Sequence, residues 1–267
     1  MNQTPSSSDL PSTPPPQSVR VVLPSRRPYV TYSLMGITIG FYLLQLFSGE
    51  SPYGMDWVTY FGAKINVLIR AGQLWRFLTP VLLHASIPHI LFNMYALYVI
   101  GVGLELHFGH WRYFLLYMIG GFTGNVLSFL FSSGYSVGAS TAIFGLIGAE
   151  GVFLYQNRQL FSRRFGSAIG NVIFIVVLNL VIDVFPGSGI DYWGHIGGLL
   201  GGLIFTWFAG PRLGVEAVYE GLSMPGMAPA ARLVDQRESR EVVTGTAIVL
   251  LIFGALAVYG MIHPIVP

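Results

Sequence analysis

Seven apolar stretches, each close to the length that crosses a bilayer, leave this 267-residue chain few folds to choose from. A span needs about 20 mostly apolar residues, and candidates run over 29–48, 87–105, 111–132, 140–157, 167–186, 192–210 and 243–262. Backbone groups in hydrocarbon must be paired within the chain, so spans of this kind are helices. Composition agrees: 53% of residues are hydrophobic and 10% charged, against roughly 25% charged in a soluble domain. The expected fold class is therefore an all-α polytopic membrane protein. Without cysteine there is no disulfide framework, thiol chemistry or cysteine zinc site. Without a block of basic residues, nucleic acid is not an expected partner.

Residues 1–28 read as a disordered cytoplasmic tail, because a Pro-, Ser-, Thr- and Gln-rich segment cannot bury enough apolar surface to offset chain entropy. They lack the layout of a cleavable signal or an arginine-rich transit peptide. The stretch 29–210 forms a six-helix core, 211–242 a polar cytoplasmic linker, and 243–267 a seventh span with a short outer tail. The loop 49–86, with Trp57, Tyr60, Phe61 and Trp75, is expected to lie partly in the interface as short amphipathic helices. With the N-terminus inside, 11 of the 14 Lys and Arg residues fall on inner segments, and only Lys64, Arg70 and Arg76 fall outside. The bilayer is thus a partner of the whole chain, and a bacterial inner membrane is the expected location.

The second, fourth and sixth spans run in the same direction, so depth can be counted from each inner charged landmark. Ser140 lies roughly 27 Å from Arg158, His195 roughly 26 Å from Arg212, and His89 roughly 24 Å from Glu105. Asn93 is one turn deeper. Polar groups at that depth are costly unless they meet one another or water. A shared wet cavity among these three spans is the expected solution.

Ser140 follows Gly138 and opens an apolar run. It reads either as an N-cap or as a nucleophile at a helix N-terminus, where free N–H groups favour an oxyanion. His195 stands among glycines. Gly197 and Gly201 make one small-xxx-small pair, Gly198 and Gly202 another, and such pairs let backbones approach closely. His195, Gly198 and Gly202 share a face, and Gly145 with Gly148 offers a matching surface on the fourth span. That packing would bring Ser140 near His195. Phe144, one turn from Ser140, reads as core or as a ring orienting the imidazole. His84, His89 and Asn93 do not have the spacing of a zinc set, and no metal or other cofactor is expected; His and Asn suit hydrogen bonding to an oxyanion. Ser86 and Pro88 mark the start of the second span. Glu150 lies too far from His195 to orient it and reads as structural or substrate-related. Asp191 reads as a third catalytic member or as an exposed helix cap.

These residues, in this order and on these spans, resemble the rhomboid intramembrane serine proteases over approximately residues 29–210, in the form with an appended seventh helix. The motifs are Trp75-Arg76, His84-x4-His89-x3-Asn93, Gly138-x-Ser140 with Phe144-Gly145, and Gly194-His195-x-Gly197-Gly198. The resemblance implies a Ser140–His195 dyad, and an oxyanion hole made by the Ser140 N–H with His89 and Asn93. It implies that His84 lines the site, that Glu105 is structural, and that Phe144 stands where the family often has a tyrosine. The family commonly has glycine where this chain has Thr141. Transmembrane proteins would be the substrates, cut near the outer face, with the fifth span and the loop 186–191 as a lateral gate. An inert relative should lack the serine or the histidine. A transporter should show repeats or broken midplane helices, and no repeat is evident.

Overall fold

The computed structural model describes residues 20–22, 27–161, 165–183, 189–218 and 230–266. The apolar stretches form helices: α1 (Tyr29–Phe47), α4 (Ile87–Phe108), α5 (His110–Phe131), α6 (Ser140–Gln156), α7 (Phe165–Asp183), α8 (Tyr192–Ala209) and α9 (Ser239–Ile262). Four of them, α1, α4, α5 and α9, are long and apolar enough by themselves to cross a membrane. The 17-residue α6 and glycine-rich, 18-residue α8 are shorter and lie largely in the core. The protein is a multi-pass integral membrane protein. Two short helices, α2 (Trp57–Gly62) and α3 (Asn66–Arg70), and two 3₁₀ turns fill the segment between α1 and α4, as the mixture of charges and aromatics there suggests.

Burial ranks the helices. In its membrane-length window α5 is 72% buried, against 22% for α1 and α9, so α5 is the central post. On α1 the buried positions Thr31, Leu34, Thr38 and Gln45 fall on one stripe, leaving the opposite face apolar for lipid. The start of α1 has no side-chain cap of its own. The Glu105 carboxylate at the end of α4 supplies one, accepting from Val30 N and Thr31 N at 2.8 Å and from Thr31 Oγ1 at 2.7 Å. A carboxylate at a helix N-terminus also meets the positive end of the dipole. The seventh span lays Gly245, Val249, Phe253, Ala257 and Gly260 inward. A Cβ on Gly245 would meet Phe208 and Ala209 of α8, and one on Gly260 would meet Phe129 and Leu130 of α5. Buried Arg237 pins its base by donating to the carbonyls of Gly210 at 2.9 Å and Trp207 at 3.1 Å.

The segment 211–242 is not simply a linker. Strands β2 (Leu213–Val218) and β3 (Ala230–Asp235) pair antiparallel, and β1 (Arg20–Val22) joins β3 in parallel, giving the order β1-β3-β2 in a separate small unit. The α9 helix also begins earlier than hydropathy suggests, because Glu238 and Glu241 form a capping box. The remainder of the expected tail 1–28, apart from residues 20–22 and 27–28, lies outside the described residues, as do 184–188 of the expected gate.

Candidate active site

The site is assembled where α5, α6 and α8 cross. Its glycines act as the absence of side chains. A Cβ on Gly198 would overlap the Thr141 carbonyl, and one on Gly202 the Gly145 carbonyl. On α6, a Cβ on Gly148 would sit 2.7 Å from the Leu199 carbonyl. Gly197 and Gly201 face the other way: their Cβ atoms would meet Thr123 of α5, the first at 2.5 Å from its carbonyl oxygen. The two small-xxx-small pairs of α8 thus serve two different partners, one α6 and one α5. Alpha5 was the missing member of the sequence argument. Its Gly120 and Gly124 have the same four-residue spacing, and a Cβ on Gly145 would stand 2.8 Å from Gly120 Cα.

Ser140 is the first residue of α6 and makes no cap hydrogen bond; the N-cap position belongs to Ala139. The N-cap reading of this serine is therefore set aside, and its hydroxyl is not committed to the helix start. The loop before it turns at Gly138, whose φ of +134° disfavours any side chain. A Cβ there would also lie 2.8 Å from His89 Nε2 and 3.5 Å from Ser140 Oγ. That bare spot brings the His89 ring and the Ser140 hydroxyl to the same small space. The Ala85 N–H is directed at His89 Nδ1 at 3.4 Å, which leaves Nε2 as the protonated, donating nitrogen. Ser86 caps α4 by accepting from His89 N at 3.3 Å.

His195 is 6% exposed. Its ring stacks on Phe144 with centroids 4.1 Å apart and planes 11° from parallel. Phe144 lies one helical turn beyond Ser140 on the same face, so the imidazole stands alongside the first turn of α6. His84 is buried, with its ring 4.9 Å from that of His89 and its Nε2 directed at the Ala139 N–H at 3.5 Å. Burial pushes His84 down to about 3, with His89 adding to the fall, so it is neutral and able to accept from the backbone. Asn93 is buried, but its amide donates to the His89 carbonyl at 3.0 Å, within its own helix. The structure thus brings His84, His89, Ser140, Phe144 and His195 together, and one of the two Asn93 amide hydrogens is directed at its own helix.

Asp191 proves to be a half-buried helix cap. Its carboxylate accepts from Gly194 N at 3.2 Å and takes the Ser128 hydroxyl. Glu150 is half-buried in the middle of α6, ten positions past Ser140. An apolar cavity of about 330 Å³ lies between α6, α7 and α8, lined by Gly148, Gly151, Val172, Ile173, Leu199 and Trp207 among others. None of the candidate catalytic residues lines it, so it is not the wet cavity expected from the depth count. Thr141, the departure from the family pattern, turns its side chain towards Gly124 of α5 and Gly194 of α8. Its methyl group lies 3.0 Å from where Gly194 would carry a Cβ, and its Cβ 2.6 Å from the corresponding point on Gly124. Two glycines make room for one threonine. Arg76 of the Trp-Arg pair is fully buried and sews the loop together, donating to Ala63 O at 2.6 Å and Tyr60 O at 2.8 Å.

The Rhomboid domain model matches residues 71–212, and the chain belongs to the rhomboid family. It is 40% identical over 195 residues to rhomboid protease GluP of Bacillus subtilis, covering 73% of this chain and 36% of that protein. It is 36% identical over 197 residues to RHOMBOID-like protein 1 of Arabidopsis thaliana, covering 72% of this chain and 49% of the relative. Rhomboid-like protease 1 of Toxoplasma gondii is 36% identical over 147 residues, 54% of this chain and 50% of that protein. The chain therefore spans between about a third and a half of the length of these relatives.

Proposed function

We propose that this protein is an intramembrane serine endopeptidase that cuts transmembrane proteins through Ser140 and His195. The observation that carries the reading is the stacking of His195 on Phe144, one turn from Ser140, with a donating His89 nitrogen at Gly138. In this reading His195 accepts the Ser140 proton as the hydroxyl attacks a peptide carbonyl. The oxyanion that forms is met by the Ser140 N–H at the helix N-terminus and by His89 Nε2–H. Asn93 joins them through the second hydrogen of its amide, the first being held by the His89 carbonyl. His195 then protonates the leaving amine, and water releases the acyl group from Ser140. The aromatic face fixes the imidazole plane, a task that a carboxylate performs in a triad; Asp191 is engaged with the α8 N-terminus instead. Substrates with small or helix-breaking residues fit best, since a regular helix hides its carbonyls. The bias of Lys and Arg to one side supports a cut near the outer face of the bilayer, and a bacterial inner membrane is the location this reading takes.

The test is labelling of the full chain in detergent by a fluorophosphonate probe, together with cleavage of a panel of model transmembrane substrates. Labelling is expected in the wild type, absent in Ser140→Ala and strongly reduced in His195→Ala. Equal labelling of all three proteins ends the proposal.

A further inference from the structure

Lys64, between α2 and α3, has no exposed surface. Its ammonium lies 2.7 Å from the Gly134 carbonyl, 3.0 Å from that of Ser132 and 3.1 Å from Asn66 Oδ1, with Ser128 O at 3.4 Å. Three N–H bonds serve four oxygens, so the longest contact is shared. Three of these acceptors are carbonyls of the last turn of α5 and the chain leaving it, where the negative end of the helix dipole favours a cation. Burial pushes Lys64 down to about 8, and the nearby Asp191 carboxylate opposes the fall. A cation this deeply buried is retained only when its bonds are satisfied.

Two lines of contact leave this lysine. Along the first, its backbone pairs in both directions with Ser136, at 3.0 Å and 3.1 Å. Ser136 is four residues before Ser140, and Gly138 N between them is held by Pro80 O at 2.9 Å. Along the second, Ser128 offers its carbonyl to Lys64 and its hydroxyl to Asp191. Asp191 caps α8 through Gly194 N, and its carbonyl accepts from His195 N at 3.2 Å. One ammonium therefore stands at the junction of the chain that delivers the serine and the cap that delivers the histidine.

Resting on the protease reading above, we propose that the Lys64 side chain is a positioning group for Ser140 and His195, setting the chain that leads to the nucleophile through the Ser132 and Gly134 carbonyls and the first turn of α8 through Ser128 and Asp191. It touches neither reacting atom. Its removal changes where the two helix starts stand relative to each other, and small misplacements of reacting groups cost rate steeply.

The experiment measures the rate of fluorophosphonate labelling at Ser140 and the thermal midpoint, on the full chain in detergent. The variants are Lys64→Met, Ser128→Ala, Asp191→Asn and the Lys64→Met/Ser128→Ala pair, with rates taken well below each midpoint. Lys64→Met is expected to label at least roughly tenfold more slowly in folded protein. The double variant is expected to be no slower than its slower parent, the signature of groups acting in one line. Labelling of Lys64→Met at the wild-type rate with a lowered midpoint shows a purely structural lysine and overturns the proposal. Multiplying losses in the double variant also overturn it. Should Lys64→Met not fold, Ser128→Ala and Asp191→Asn carry the test alone, and wild-type rates in both refute it. Absence of labelling in the wild type would instead remove the protease reading on which this inference stands.

Discussion

Gly124 carries no chemistry, yet the two catalytic candidates converge on it. A Cβ added there would stand 2.6 Å from the Gly194 carbonyl oxygen and 2.6 Å from Thr141 Cβ, where ordinary contact begins at 3.4 Å. Both neighbours would have to withdraw by about 0.8 Å. Neither gives easily: one is helix backbone, the other a β-branched side chain with a stiff χ1. Thr141 adjoins Ser140 and Gly194 adjoins His195, so Gly124→Ala moves both at once. Overpacking of this kind costs about 1–3 kcal/mol of stability. A misplacement near 1 Å costs about 100-fold in rate, so labelling of Ser140 should slow by about 10- to 100-fold. The matched control is Gly254→Ala on α9, where a Cβ meets nothing within 4 Å. Thermal unfolding and fluorophosphonate labelling of the two variants in the same detergent give the comparison. The double variant Gly124→Ala/Thr141→Gly should recover part of the loss, because one of the two collisions is gone. If Gly124→Ala is as stable and as reactive as Gly254→Ala, the crossing does not have the closeness on which this reasoning depends.

Removing the ring that faces the imidazole tests orientation. Phe144→Leu should slow labelling about tenfold while losing only about 1 kcal/mol of stability, whereas Phe144→Tyr should keep both. Glu105→Gln should act in the opposite sense, lowering the unfolding midpoint through about 1–3 kcal/mol lost at the start of α1 and leaving the labelling rate of folded protein unchanged. A Glu105→Gln protein that unfolds like the wild type would show that α1 does not depend on this carboxylate.

The membrane helices were legible because a long apolar stretch in lipid has one local solution, and their ends fell within a few residues of the structure. The glycine arithmetic on 197, 198, 201 and 202 was legible too, since a four-residue repeat fixes a face. It predicted one partner where there are two, although Gly120 and Gly124 of α5 carry the same repeat in plain view. Asp191 as a cap could be read from its place before α8; its bond to Ser128 could not, because the two are 63 residues apart. Lys64 looked like an ordinary loop charge. Nothing local tells a solvated lysine from one enclosed by carbonyls of a distant helix end. The bond from Asn93 to the His89 carbonyl and the inward turn of Thr141 were equally hidden, for both depend on rotamers set by neighbours that the sequence does not place.

The 17 residues of α6 reach about 25 Å, less than the hydrocarbon thickness of about 30 Å. Something other than helix must fill the shortfall above Ser140, and irregular chain at that depth survives only with its amides and carbonyls already answered. In the run from Ser132 to Gly138, Lys64 answers the Ser132 and Gly134 carbonyls and both backbone groups of Ser136, and Pro80 answers Gly138 N. A lipid composition that thickens the bilayer would therefore be felt first at this stretch, and if the protease reading holds, the rate of Ser140 labelling in vesicles should depend on acyl-chain length.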